Sequence, residues 1–391
     1  MGSHEFIRFP PYEVKLTVSL VMLLAEIQSQ IRQIGQIPIL PSVRDELRTV
    51  YLARAAYGTT SIEGNTMTED AVLSMARKSI EEVLPADYEE QEVVNVLAAL
   101  NSIAKATFEG NTEPFSSELL NQYHKSLVAE TGSPNCDEDE IGAIRKKSVE
   151  VGRYLGAPPQ DCPRLLRAYC EWLNERAFIP IGQEAYELAW QIVKAITAHI
   201  YFAWIHPYCD GNGRLARLIE SKVLLDAGIP DIAAHLLSNL YNKRRSEYIK
   251  ELQDSHGDYN EGSYASEARV QDFIEFALRG FRDELESQCL EIYNSQLTVM
   301  WHDLIHVSFP RKLSDAQQRR KRLALDLTHP PYQQSVPFGE IRELTPAVAV
   351  AYVNESDQTI RNDLKVLVKM GLVQRDDTGY RPNTEIMTGF F

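Results

Sequence analysis

A mainly α protein with a few short β-hairpins is what this 391-residue sequence predicts. Three observations carry that prediction. Between Glu184 and Trp204, Leu188, Ile192, Ile196, His199 and Phe202 recur at three- and four-residue spacing, the period of a buried helix face. The same spacing returns in Val93, Val96, Leu97 and Leu100, in Leu119, Leu120, Tyr123 and Leu127, and in a long stretch from Glu267 towards Leu327. Alternation between turn residues reads as a hairpin at Gly142–Tyr154 and again at Leu372–Arg381.

Totals narrow the class further. The length suits two or three domains. A net charge of −15 argues against a general binder of nucleic acid or membrane surfaces, which would repel it on average. No apolar run approaches the length of a bilayer span, and no signal-peptide pattern opens the chain. Five cysteines, odd in number and without a C-x-x-C pair, read as reduced thiols in a cytoplasmic protein, with Cys209 a packing residue.

In chain order, a helical pattern covers Glu13 to Gln33 and is interrupted by Pro38 and Pro41. Another runs from Ser42 through Leu47, Tyr51 and Ala55 to Glu63, where Gly64 is a natural C-terminal cap. Thr59 and Glu63 are four apart and share one face of that helix. Thr68-Glu69-Asp70 restarts a helix with acidic residues in its first turn. The hairpin at Gly142–Tyr154 carries Arg145, Val149 and Val151. Leu236 to Gln253 reads as a helix bearing Tyr241, Arg244, Arg245 and Tyr248. Arg319-Arg320-Lys321-Arg322 reads as a solvated polar face, and Pro330-Pro331 marks a boundary. Helices follow at Pro346–Val353 and Ser356–Met370, the second with an apolar stripe of Ile360, Leu364, Leu367 and Val368.

The chemistry concentrates in His206-Pro207-Tyr208-Cys209-Asp210-Gly211-Asn212-Gly213-Arg214-Leu215-Ala216-Arg217. Pro207 favours an extended or turn state at His206, so one helix ends there and a second opens after the glycines. Free N–H groups at that second helix start, with Gly211, Asn212 and Gly213 letting an anion approach closely, suit a phosphate. Arg214 and Arg217, three apart, can fork onto its oxygens. Asp210 supplies a hard carboxylate for Mg²⁺, and His206, neutral near pH 7, is a proton acceptor.

These residues resemble the Fic motif, H-P-F-x-[DE]-G-N-G-R-x-x-R, with Tyr208 in place of the usual Phe. That position packs inward in the family, so the Tyr208 hydroxyl needs a buried partner. The resemblance implies a Fic-type helical core and transfer of a nucleoside monophosphate, most often AMP from ATP, to a hydroxyl of a protein substrate. His206 is then the base, Asp210 the Mg²⁺ ligand, and Gly211, Asn212, Gly213, Arg214 and Arg217 the ATP-binding residues.

Thr59 to Gly64 resembles the family's inhibitory motif, [ST]-x-x-x-E-[GN], whose Glu pairs with the second motif Arg, here Arg217. The residues alone also fit a helix end with a solvated Glu63. Gly142–Tyr154 resembles the family's β-hairpin flap, which registers the target segment by strand addition; an ordinary surface hairpin fits the spacing equally. Tyr248 aligns with a residue that encloses the nucleobase, though the family's doubled Tyr is Tyr248-Ile249 here, and a core Tyr is the other reading.

The C-terminal order of helix, turn, helix and hairpin resembles a winged helix. DNA readout would use Gln358, Thr359, Arg361, Asn362 and Lys365. Residues 328–391 hold six basic side chains against eight acidic, so protein binding or homodimer formation stands beside DNA. The domains expected are an N-terminal helical region with the inhibitory helix at 1–113, a Fic core at 114–260, a helical linker at 261–327 and the winged-helix domain at 328–391. Two other functions stay open: removal of AMP from a modified protein, and nucleotide sensing by a transcriptional regulator.

Overall fold

Helix after helix builds the first part of the chain, and several of them begin on a side-chain cap. The computed structural model describes residues 15, 17–78, 83–132, 136–151, 154–175, 186–258, 263–264, 267–328 and 334–388. The expected helix start at Glu184, Gly152 of the hairpin and the Pro330-Pro331 boundary lie outside them.

Helix α1 (Val18–Gln36) begins where the Thr17 side chain accepts from the Leu20 N–H, and α2 (Pro41–Ile62) begins on a proline, whose missing N–H costs nothing in a first turn. Then come α3 (Glu69–Ala76), α4 (Tyr88–Phe108) and α5 (Ser117–Val128), capped by Thr68, Asp87 and Ser116 respectively. Strands β1 (Glu150–Val151) and β2 (Tyr154–Leu155) pair antiparallel, and α6 (Cys162–Asn174) follows. Helices α7 (Glu187–Ile205) and α8 (Asn212–Asp226) carry the motif between them. Beyond lie α9 (Asp231–Ala234), α10 (Leu236–Lys243), α11 (Arg245–His256), the β3 (Gly257–Asp258) and β4 (Ser263–Tyr264) pair, and the long α12 (Glu267–Ser308).

Helices α7 and α8 pack along one another at the centre, with Ile192, Ile196, Ile200, Phe202, Leu215, Ile219 and Leu224 buried. By length and composition α7 is apolar enough to cross a membrane, against the sequence expectation, yet 83% of that stretch is buried inside the protein. It is a core helix whose surface other helices already cover. Helix α2 lies against α10 at Gly58, where an added Cβ would come within 2.8 Å of the Ser238 carbonyl oxygen. That close approach brings the C-terminal end of α2 to the motif.

The chain divides into two units, residues 1–289 and 290–391. The second contains the end of α12, α13 (Asp315–Asp326), a 3₁₀ turn at Phe338–Glu343, α14 (Pro346–Ala351), α15 (Asp357–Lys369), the antiparallel β5 (Val373–Arg375) and β6 (Tyr380–Pro382), and α16 (Glu385–Thr388). Trp301, Ile305 and Leu323 share one core with Ile341, Tyr352, Leu364 and Leu367. The segment set apart in sequence as a linker, 261–327, is therefore shared between the units.

Three readings change. Among the described residues strand pairing joins only Glu150–Val151 to Tyr154–Leu155; the Gly142 N–H is given to His124 and the Arg145 N–H to the Pro207 carbonyl, so these residues do not pair as a strand. Arg319 and Arg320 are not a solvated face: both pair with buried Asp363, and Arg319 also with Glu355. The cysteines are not all reduced, since Cys136 and Cys209 form a disulfide across 73 residues of sequence. Folding sets Cys136 beside the motif loop, and the pairing removes one ground for the cytoplasmic expectation.

Candidate active site

His206 is where the site begins. It caps α7 in the left-handed conformation, φ 47° and ψ 59°, instead of the extended or turn state that Pro207 favours. A non-glycine residue held there is strained, and such strain persists only where the surroundings enforce it. Arg145 enforces it. Its Nε donates to the His206 carbonyl at 2.8 Å, its own N–H to the Pro207 carbonyl at 3.0 Å, and its Nη atoms to the Lys147 and Ala157 carbonyls. Burial, then the Arg145 charge, pushes the His206 imidazole down to about 4, so it is neutral and able to accept a proton at pH 7.

The loop beyond is fastened side chain by side chain. Asn212 accepts from the Tyr208 N–H at 3.0 Å and donates to the Tyr208 carbonyl at 2.8 Å. Tyr208 is buried and its hydroxyl donates to Asn121 at 2.8 Å, the partner its burial requires. Its ring stacks on His124 with centroids 4.0 Å apart. His124 accepts the Gly142 N–H at Nδ1, so its Nε2–H donates to the Asp210 carbonyl at 3.0 Å. Gly211 stands at φ 70°, and an added Cβ there would meet Val128 at 2.8 Å. This N-cap offers no side-chain acceptor to the first turn of α8, whose N–H groups therefore face outward for an anion.

Arg214 and Asp210 meet beside that helix start. Arg214 is buried, with Nη1 2.8 Å from Glu92 and Nη2 3.4 Å from Asp210. Asp210 keeps 27% of its side-chain surface and binds the Gly211 N–H through one oxygen. Among the described residues no cluster of three or more His, Cys, Asp and Glu is placed to hold a metal. A single partly open carboxylate still fits Mg²⁺, which takes one or two protein carboxylates and completes its shell with water and phosphate oxygens.

Arg217 is almost fully buried and bound on every side. Nε donates to the Thr59 hydroxyl at 2.6 Å, Nη2 to the Thr59 carbonyl at 3.2 Å and to the Glu63 carboxylate, and Nη1 to the Tyr248 hydroxyl at 3.2 Å. Burial opposes the Arg217 charge, but Glu63 and Tyr248 outweigh it and hold the guanidinium above its usual range. The Glu63 carboxylate lies over Gly213, where a Cβ would overlap it. It thus lies at the N-terminal end of α8, where the helix dipole favours a negative charge. Tyr248 is 3% exposed, stacked on Tyr241 and bound to both Arg217 and His199, which makes it part of the Arg217 cluster.

The sequence reading gave no role to Glu92, Asn65, His124, Arg145 or Arg245. Arg245 donates to the Ile62 carbonyl at 2.8 Å and so holds the end of α2. Glu92 shares a helix face with Val96 and Ile103, and a charge on an apolar face was the available signal. Nothing in the local pattern marked the other four.

Fold and site together define a helical protein with a histidine and a glycine-containing loop between two helices, and a carboxylate paired with the second arginine. Residues 114–224 match the model of the Fic/DOC family. The chain is 27% identical over 215 residues to protein adenylyltransferase fic-1 of Caenorhabditis elegans, covering 54% of this chain and 38% of that protein. It is 26% identical over 227 residues to protein adenylyltransferase Fic of Nematostella vectensis, covering 57% and 45%. The chain thus spans less than half the length of these relatives. A solved Fic family protein from Desulfovibrio desulfuricans matches with a TM-score of 0.52 at 22% identity, over 95% of this chain and 98% of that one. Residues 134–508 of fic-1 from C. elegans match with a TM-score of 0.53 at 21% identity, over 72% and 74%. The fold is of the Fic type.

Proposed function

We propose that this protein transfers AMP from ATP to a Ser, Thr or Tyr hydroxyl of a protein, and that Glu63 holds it in check. The observation that carries the reading is the capture of Arg217 by Glu63 directly over Gly213, at the start of the helix that follows the left-handed His206. In the reaction, the α-phosphate rests against the N–H groups at the start of α8, and Arg214 and Arg217 hold the remaining phosphates. His206 takes the proton as the target hydroxyl attacks the α-phosphorus, the bond to the β-phosphate oxygen breaks, and pyrophosphate leaves with that electron pair. Asp210 would hold Mg²⁺, which neutralises charge on the phosphates when bound. While Glu63 occupies Arg217, the γ-phosphate lacks its partner and in-line attack is misaligned.

Removal of AMP from a modified protein by water is the second reading. Its support is that the Glu63 carboxylate keeps 32% of its surface at the start of α8, where it would take the proton from a water attacking the phosphorus of protein-bound AMP as the bond to the protein's oxygen breaks. For the C-terminal unit we propose a winged-helix-type interaction module, supported by its order of helix, helix and hairpin. Incubating the protein with labelled ATP, CTP, GTP or UTP, with and without Glu63→Gly, tests the main reading. Labelling of protein should appear with ATP, rise with Glu63→Gly and vanish with His206→Ala. Labelling that persists undiminished in His206→Ala would refute it.

A further inference from the structure

The first motif arginine is bound as closely as the second. Arg214 and Glu92 form an ion pair at 2.8 Å in which the side chains keep 5% and 9% of their surface. Such a pair is retained where its geometry is well satisfied, because each charge has lost its water. The Glu92 geometry is well satisfied: its second oxygen accepts the Asn65 amide at 2.8 Å. Asn65 is itself fixed at both ends, since the same amide donates to the Glu89 carbonyl at 3.0 Å and its oxygen accepts the Met67 N–H at 3.0 Å. Asn65, Glu92 and Arg214 therefore form one buried chain of charge-assisted hydrogen bonds.

Two features give that chain a direction. The guanidinium is oriented by Glu92 on Nη1 and more loosely by Asp210 on Nη2, while its Nε is buried with no hydrogen-bond partner among the described residues. A buried donor without an acceptor costs free energy unless something arrives to accept, and Nε with the adjacent Nη forms the side-on edge that grips a phosphate. The other feature is position in sequence. Asn65 lies two residues beyond Glu63, in the turn between α2 and α3, so the same turn reaches both motif arginines.

We infer that Glu92 is the positioning residue for Arg214, and that the α2–α3 turn sets it through Asn65. The turn then does two opposite things. Through Glu63 it blocks Arg217, and through Asn65 and Glu92 it holds Arg214 so that its unpartnered Nε is ready for the nucleotide's phosphates. Removing Glu63 alone lifts the block and leaves the positioning intact, whereas displacing the whole turn loses both. This rests on the nucleotide-binding reading above.

ATP binding, read by calorimetry with Mg²⁺ in the Glu63→Gly background, tests it without relying on turnover. A hydrogen bond to a charged partner corresponds to about 10- to 100-fold in affinity. Glu92→Gln should weaken ATP binding about tenfold or more and adenosine binding little, because only the phosphates meet Arg214. Asn65→Ala should weaken ATP binding several-fold, and should add almost nothing once Glu92→Gln is present, because the two act through one path. Circular dichroism and thermal midpoints identify variants that fail to fold, in which case Glu92→Asp, shorter but charged, replaces Glu92→Gln with the same expected loss. Folded variants that bind ATP as tightly as the parent, or losses that add in the double variant, would overturn the inference and leave the nucleotide reading standing. A Glu63→Gly protein that binds no ATP would overturn both.

Discussion

Substituting Glu63 by Gly isolates the contact that is proposed to restrain this protein. Arg217 keeps three acceptors without it, the Thr59 hydroxyl at 2.6 Å, the Thr59 carbonyl at 3.2 Å and the Tyr248 hydroxyl at 3.2 Å, so the guanidinium stays in place. What is lost is one charge-assisted bond, of about 1.5–3 kcal/mol. Glu63 keeps 32% of its side-chain surface, and solvent screening brings the contribution to the lower part of that range, about 1.5–2 kcal/mol. A γ-phosphate competing for Arg217 no longer has to displace that bond, which corresponds to roughly 10- to 30-fold in rate. Alignment adds to this, because a misplacement of about 1 Å can cost roughly 10²-fold. Transfer of label from ATP, including self-modification, should therefore rise at least tenfold, followed as time courses on protein gels. Arg217→Ala should leave transfer slow whether or not Glu63 is present. Activation by Glu63→Gly that survives undiminished in the Arg217→Ala background would refute the pairing as the restraint.

Three other outcomes follow from particular contacts. His206 and His124 are both pushed down to about 4, mainly by burial, from an unfolded value of about 6.5. Their folded values lie below the unfolded ones, so the stability they contribute is complete above about pH 6.5 and lost as pH falls towards about 4; denaturant midpoints should be lower at pH 5 than at pH 7, and an unchanged midpoint would contradict the burial argument. Arg145→Met should leave the His206 and Ala157 carbonyls without their donor and let the left-handed His206 relax, lowering transfer about tenfold or more with a reduced thermal midpoint, and wild-type turnover would remove Arg145 from the argument. The C-terminal unit should not retard arbitrary duplex DNA at physiological salt, because Arg319 and Arg320 are spent on Asp363 and the Arg361 guanidinium sits 3.8 Å from the Phe338 ring; retardation at low micromolar protein would favour the regulator reading.

The sequence by itself determined the helical class, the ends of several helices and the residues gathered in the motif. Those depend on neighbours in the chain: Thr68 stands at the start of α3, Gly64 just past the end of α2, and His206, Asp210, Gly211, Arg214 and Arg217 come together within twelve residues. Glu63 was legible too, as Thr59 and Gly64 stand at fixed distances from it, but only tertiary structure set it on Arg217, 154 residues away. The same holds for what local pattern left unmarked. Glu92 reaches Arg214, Arg145 clamps His206, and Cys136 meets Cys209 because helices packed between them bring distant segments together. Tyr248 shows the difference most directly. Its helical position was readable, while its role followed from α11 packing its hydroxyl between Arg217 and His199, contacts that no spacing rule encodes because they depend on which helix faces meet.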